Sequence, residues 1–173
     1  MMKLKSLVLA LMLAAGGLAH ADNINGNVNL GGTAAGPLSA GFGVTHLEMG
    51  EFTDTFTFSP SDGFFTVDAS LITIGFMPST DVDFYSADIN GVALTLTPEG
   101  NVEYGTLSMS PITGPLVLTV RGMVGDSMSG DASASYAGTL NISAVPEPET
   151  WGMMLGGLGI LGFLSRRRRS TLG

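Results

Sequence analysis

Residues 22–145 alternate apolar and polar side chains with a period of two, and turn residues interrupt the pattern about every 8–12 positions. In the clearest stretch, Phe52–Phe58, the threonines fall on one face of a strand, and three phenylalanines fall on the other face together with Asp54. No part of this region shows the 3.6-residue apolar period of an amphipathic helix. We therefore predict an all-β fold, an antiparallel β-sandwich with a jelly-roll-like strand order.

Turn signals divide this region into short strands. Asn90-Gly91 predicts a type I′ turn that closes a β-hairpin, because both residues accept positive φ angles. The Gly-, Ser- and Asp-rich segment 122–133 predicts a loop. The predicted strands span residues 24–30, 52–58, 64–68, 71–76, 82–89, 92–97, 102–109, 115–121 and 134–143.

The amino-terminal segment differs from this region. Met1–Ala21 starts with two lysines, continues as an apolar stretch and ends in the A-x-A pattern of Ala19 and Ala21. These three parts are typical of a secretory signal peptide. We predict a signal helix over residues 1–21, export through the secretion translocon, and cleavage after Ala21 by signal peptidase.

Charge and cysteine content limit what the exported region can do. Residues 22–145 contain 13 acidic residues against Arg121 alone, a net charge of −12. Nucleic acids are bound through lysine and arginine, so this charge excludes nucleic acid as a partner. The chain has no cysteine, so the fold must rest on its hydrophobic core rather than on disulfides.

The carboxyl-terminal segment has three ordered parts. Val145-Pro146-Glu147-Pro148 is followed by an apolar, glycine-rich stretch and then by four arginines. The stretch Trp151–Leu164 would form roughly 21 Å of helix at 1.5 Å per residue, shorter than a typical ~30 Å hydrocarbon core. Trp151 suits the membrane interface, and the arginines hold their end in the cytoplasm. We predict a short transmembrane helix that is inserted transiently in the inner membrane.

This segment resembles the PEP-CTERM sorting domain of Gram-negative bacteria that make extracellular polymeric substance. The resemblance implies an exosortase as the processing partner, and the chain would then divide into a signal peptide (1–21), an acidic β-sandwich domain (22–144) and a sorting tail (145–169). By the same resemblance, the sorting signal comprises Val145, Pro146, Glu147, Pro148, Trp151, Arg166, Arg167, Arg168 and Arg169.

A second resemblance lies in the middle of the chain. Phe52, Asp54 and Phe56 match the FxDxF pattern of a group of PEP-CTERM proteins, whose domains also tend to end with a segment like Ser135–Leu140. That group implies no enzymatic activity. Asp54 itself has two interpretations, a metal ligand or catalytic acid, or a structural carboxylate. We favour the structural one, in which Asp54 accepts backbone N–H groups of a turn or pairs with Arg121.

The inventory of reactive side chains argues against catalysis. After removal of the signal peptide, His46 is the single histidine and no cysteine or lysine remains, so a zinc site of the His/Cys kind is excluded. A nucleophile would need His46 as its base, and no nucleophile-elbow pattern surrounds it; a surface or hydrogen-bonded histidine is the simpler interpretation. No pair among the 13 acids is singled out for glycoside hydrolysis. We predict that the protein is not an enzyme.

Calcium is the one cofactor that the acidic residues suggest. Asp81, Asp83 and Asp88 are weak candidate ligands, as are Asp126 and Asp131, but no EF-hand spacing is present. Solvated carboxylates are the simpler interpretation, so we predict no cofactor.

The segments together predict an exported protein with a structural or adhesive role at the cell surface or in the extracellular polymeric matrix, where extracellular polysaccharide would be its partner. A carbohydrate-binding module is the alternative function, since small exported β-sandwiches often bind glycans on exposed aromatic rings. The mature region offers for this purpose Tyr85, Tyr104 and Tyr136, and no tryptophan. A glycoside hydrolase is the third possibility.

Overall fold

The computed structural model describes residues 21–31, 37–60, 63–126, 130–145 and 148–169. In these ranges the chain forms ten strands, one short 3₁₀ turn at Pro78–Thr80 and one α-helix. The elements are β1 (Asn25–Asn29), β2 (Leu38–Glu48), β3 (Gly50–Ser59), β4 (Phe64–Ile74), β5 (Val82–Ile89), β6 (Val92–Ala93), β7 (Thr95–Leu96), β8 (Val102–Thr113), β9 (Leu116–Val124), β10 (Asp131–Ala144) and α1 (Pro148–Arg169).

The strands form two five-stranded sheets that pack into a sandwich. One sheet has the order β1-β3-β9-β5-β6, and the other has the order β2-β10-β4-β8-β7. Rings from the two sheets meet in the core, where the centroid of Phe42 on β2 lies 4.9 Å from that of Phe56 and 5.8 Å from that of Phe58, both on β3. The predicted all-β sandwich is confirmed.

The alternation on β3 places its apolar side chains in this core. Phe52, Phe56 and Phe58 are all buried, and burying each side chain contributes about 1.5–3 kcal/mol to folding. On the neighbouring strand β9, Phe52 stands opposite Gly122. A Cβ atom at this glycine would clash with the Phe52 ring and with the carbonyl oxygen of Asp83, so only glycine leaves room for the ring.

The fold departs from the predicted strands in several places. The segments predicted as strands 64–68 and 71–76 merge into the single strand β4, which ends at Ile74, so Gly75 and Phe76 lie outside it. Asn90 and Gly91 adopt the expected positive φ angles of 51° and 82°, but the strand that follows splits at the buried Leu94, so that β6 pairs in one sheet and β7 in the other. The sheets are also not wholly antiparallel, because β1 pairs with β3 in parallel.

Strand β2 was not predicted. Its outward positions include Gly41 and Gly43, and glycine in a strand weakens the sequence signal. The inward side chains of the same strand do alternate, and Phe42 and His46 among them are buried.

Candidate functional site

Asp54 is the centre of a buried polar cluster between the two sheets. Its side chain is fully buried, and three donors converge on its carboxylate. The backbone N–H of Ile24 donates to Oδ1 at 2.8 Å. The Tyr136 hydroxyl donates to Oδ2 at 2.6 Å, and His46 Nε2 lies 3.0 Å from the same oxygen. A buried carboxylate with several donors is stable in the interior, because each donor replaces a lost bond to water.

Strand alternation brings these groups together. His46 lies on the inner face of β2, Tyr136 on that of β10, and Asp54 faces both from β3 in the opposite sheet. The Phe52 ring lies beside the cluster, with its centroid 4.4 Å from that of His46 and 5.9 Å from that of Tyr136. Buried aromatic rings thus surround the carboxylate and keep it from solvent.

The hydrogen-bond roles in the cluster follow from its contacts. Burial, together with the hydrogen bond to Asp54 and the charge of Asp54, raises the pKa of Tyr136 well above its ordinary value, so the hydroxyl remains a donor. His46 Nδ1 is buried and has no hydrogen-bond partner among the described residues. The tautomer with its hydrogen on Nε2 fits this pattern, since Asp54 accepts that hydrogen.

Asp54 is hydrogen-bonded in the core, but the partners that the structural interpretation named are wrong. The backbone donor comes from the segment before β1 rather than from a turn. Arg121 does not reach Asp54; it is exposed and pairs with Asp88, with 3.5 Å between Nη1 and Oδ2. Because β9 alternates, Arg121 and Asp54 lie on opposite faces of the same sheet.

A second buried carboxylate was missed by the sequence analysis. Glu103 is buried on β8, where its Oε2 accepts the N–H of Phe84 at 2.9 Å and its Oε1 accepts the N–H of Gly100 at 3.0 Å. Partial burial, a hydrogen bond that the protonated Asp83 can donate to Glu103, and the charges of Glu103 and Glu99 raise the pKa of Asp83 to about 6. The available signal was the inward position of Glu103 in an alternating strand, the same signal that singled out Asp54.

Of the three candidate calcium ligands, Asp81 and Asp83 line one cavity, whereas Asp88 is not among the residues that line it. Asp83 contacts Glu103, whereas Asp88 is engaged by Arg121 and by the N–H of Gly91 at 2.9 Å. Asp81 lines a cavity of about 190 Å³ with Asp83, and its Oδ1 is buried without a hydrogen-bond partner among the described residues. In the described ranges no three His, Cys, Asp or Glu side chains are grouped to hold a metal ion.

The carboxyl-terminal segment starts at the end of the sandwich. Strand β10 ends at Ala144, and the N–H of Val145 still donates to the carbonyl of Phe64 at 3.1 Å. Pro146 and Glu147 lie outside the described residues, as do residues 1–20 with Ala19 and most of the predicted signal peptide. The helix α1 is longer than the predicted apolar stretch, because it begins at Pro148 and continues through the arginines.

The side chains of residues 152–163 on α1 are exposed. Within the described ranges, the structure has no helix whose length and apolarity together suffice for a membrane crossing.

Comparison with protein families identifies this segment. The family model described as the PEP-CTERM protein-sorting motif matches residues 144–169. The chain carries a PEP-CTERM sorting motif. A protein with this motif is exported to the cell surface and is sorted by an exosortase, so the predicted tail and its processing partner are confirmed. Membership of the FxDxF group stays a prediction.

Comparison with other proteins adds no function for this chain. No curated protein matches the chain. One similar solved structure is the pre-peptidase C-terminal domain of a collagenase from Bacillus anthracis, with 14% identity over 70% of this chain and 95% of that chain and a TM-score of 0.32. Another is PliG from Aeromonas hydrophila, a periplasmic inhibitor of g-type lysozyme. It has 15% identity over 71% of this chain and 98% of that chain, and a TM-score of 0.29. At TM-scores this low, neither structure indicates a ligand or an activity here.

Proposed function

We propose that this protein is a structural or adhesive component of the extracellular polymeric matrix, with a sandwich body that performs no catalysis. The observation that carries the proposal is the position of the sorting motif, which begins at the last residue of β10. In this proposal the motif sorts the sandwich that directly precedes it to the cell surface. What it does there depends on the surface of the sandwich.

The route to that location has three steps. The signal peptide directs the chain to the translocon and is removed after Ala21. The segment containing α1 then holds the protein transiently in the inner membrane, with the arginines on the cytoplasmic side. The exosortase finally processes the chain at Pro146–Pro148 and releases the sandwich.

The buried polar residues of the sandwich support the proposal that the domain is not catalytic. His46 is the single histidine after signal removal and is buried, so it cannot reach a substrate at the surface. Both oxygens of Glu103 are occupied by backbone N–H groups. Glycoside hydrolases hold their two carboxyl groups about 5–9.5 Å apart around the substrate, whereas Asp83 and Glu103 interact directly enough for Glu103 to raise the pKa of Asp83.

Membership of the FxDxF group is part of the proposal. The two segments that carry that resemblance lie on different strands, and the hydrogen bond from Tyr136 to Asp54 joins them. In this proposal the motif is a feature of the folded core, where its two phenylalanines and its aspartate are all buried.

Fractionation of the producing bacterium tests the matrix role. Cells are washed, and the protein is quantified in the medium, the extracellular matrix, the periplasm and the membranes. We expect the wild-type protein in the matrix fraction, and a variant with Pro146, Glu147 and Pro148 replaced by alanine in the membrane fraction. Wild-type protein that accumulates in the periplasm or membranes, or that is wholly soluble in the medium, would refute the proposed role.

A further inference from the structure

A pocket with polar and apolar lining opens on the outer face of the sheet that contains β3. It has a volume of about 260 Å³, and Tyr85, Arg121, Asn23, Glu51 and Thr53 line it. Pockets for drug-sized ligands measure about 300–1,000 Å³. This smaller pocket suits one ring of a polymeric ligand, with the other units of that ligand outside the pocket.

A β-bulge presents Tyr85 at this pocket. Strand β5 pairs with β9 so that Phe84 stands opposite Gly122 and Ser86 stands opposite Arg121, which leaves Tyr85 as the extra residue. Bulges re-aim side chains and are frequent beside functional sites. Tyr85 is 52% exposed, a large aromatic surface that nothing in the described sandwich covers. Such a ring offers rigid contact area at a low cost in conformational entropy.

Charged and amide groups surround this ring. Arg121 is the single cation of residues 22–145; it is half exposed, and its 3.5 Å pair with Asp88 is long, so its guanidinium has donors left for a ligand. Asn23 Oδ1 accepts the N–H of Thr53 at 2.7 Å, which leaves the amide NH₂ as a further donor. Glu51 supplies an acceptor. Hydrogen bonds from charged groups are the stronger kind, so these side chains suit a ligand that carries several hydroxyl groups.

The net charge of the domain indicates whether such a ligand is neutral or acidic. The pocket contains one cation and one anion, and the region around it has a net charge of −12. An acidic polymer is repelled by that charge, whereas an uncharged one is not. We propose that this pocket binds a neutral sugar ring of the extracellular polysaccharide; the inference rests on the proposed matrix role and names its partner.

The test uses the exported protein, purified from producing cells, in affinity electrophoresis through gels that contain the neutral or the acidic fraction of the same bacterium's extracellular polysaccharide. We expect the neutral fraction to retard the wild-type protein. Tyr85→Ala and Arg121→Ala should each weaken this binding by about tenfold or more, the effect of removing a central contact residue, and Tyr85→Phe should retain most of it.

Tyr104→Ala is the matched control, since Tyr104 is 51% exposed on the opposite sheet. It should bind like the wild-type protein, and unchanged melting curves should show that every variant is folded. The inference is overturned if the neutral fraction does not retard the wild-type protein, if only the acidic fraction does, or if Tyr104→Ala and Tyr85→Ala lose binding equally. Wild-type protein that remains in the matrix fraction in those cases would leave the proposed function standing, whereas its absence from that fraction would refute the function as well.

Discussion

Tyr136 and Asp54 lie on opposite sheets of the sandwich, and the Tyr136 hydroxyl donates a 2.6 Å hydrogen bond to the Asp54 carboxylate. The same carboxylate binds His46 of the second sheet and the backbone of Ile24 before β1. One side chain therefore connects both sheets with the start of the domain. Phe52 and Phe56, the neighbours of Asp54 in the sequence pattern, pack around the same point.

Replacement of Asp54 tests this connection. An asparagine side chain at this position would offer one oxygen and an NH₂ group to three donors, so Asp54→Asn should lower the free energy of unfolding by about 1–3 kcal/mol in thermal or denaturant melts. Asp88→Asn is the matched control, because its pair with Arg121 is exposed and such pairs contribute about 0–1 kcal/mol.

Two results would contradict the role of Asp54. An Asp54→Asn melt that coincides with that of Asp88→Asn would show that the cluster does not stabilise the fold. If Asp54→Asn melts like the wild-type protein but no longer binds the bacterium's own polysaccharide, the Phe52–Phe56 segment is a recognition site instead.

The Asp83–Glu103 contact should make stability depend on pH. The pKa of Asp83 is raised to about 6 from an ordinary value of 3.8. Between these two pH values Asp83 is protonated in the folded protein and ionised in the unfolded chain. The contribution of Asp83 to the free energy of unfolding is therefore fully present below about pH 4 and is lost as the pH rises through 6. Asp83→Asn keeps a donor toward Glu103 at every pH. Melting temperatures from pH 4 to 7 should show the wild-type protein losing stability relative to Asp83→Asn, and parallel curves would refute the raised pKa of Asp83.

Calcium should act on this domain through general screening. Asp81 and Asp83 line one cavity, but Asp88 pairs with Arg121 instead, and among the described residues no three metal-ligating side chains are grouped, so millimolar calcium should raise the melting temperature only slightly and without saturation. Sodium chloride is the control for ionic strength, although a divalent ion screens more strongly at equal concentration. Calorimetric saturation at one or two ions would establish a specific site, and Asp81→Asn and Asp83→Asn would then be the first variants to make.

The sequence predicts those parts of the fold that depend on local alternation. The inward phenylalanines of β3 and the inward Leu116, Leu118 and Val120 of β9 lie in the core as their spacing predicts. Strand β2 is not predicted from the sequence, because glycines occupy its outer face. The parallel pairing of β1 with β3 is not predicted either, because parallel strands are not joined by a tight turn that the sequence could reveal.

The candidate site was predictable in part. An aspartate among inward phenylalanines indicates a buried carboxylate that must be hydrogen-bonded, and Asp54 is one. Its partners His46 and Tyr136 are 8 and 82 residues away along the chain, and they meet it through the packing of two sheets. Local periodicity carries no information about which positions face each other across a core. The predicted pairing of Asp54 with Arg121 is therefore wrong, because Arg121 lies on the other face of the sheet and pairs with Asp88.

Intact-mass measurement of the protein in the extracellular fraction tests the sorting and processing of the chain. We expect a polypeptide that begins at Asp22 and lacks Trp151–Gly173, and its disappearance from that fraction when the exosortase is deleted. Extracellular protein that retains the full carboxyl terminus, or whose mass is unchanged by the deletion, would contradict exosortase processing.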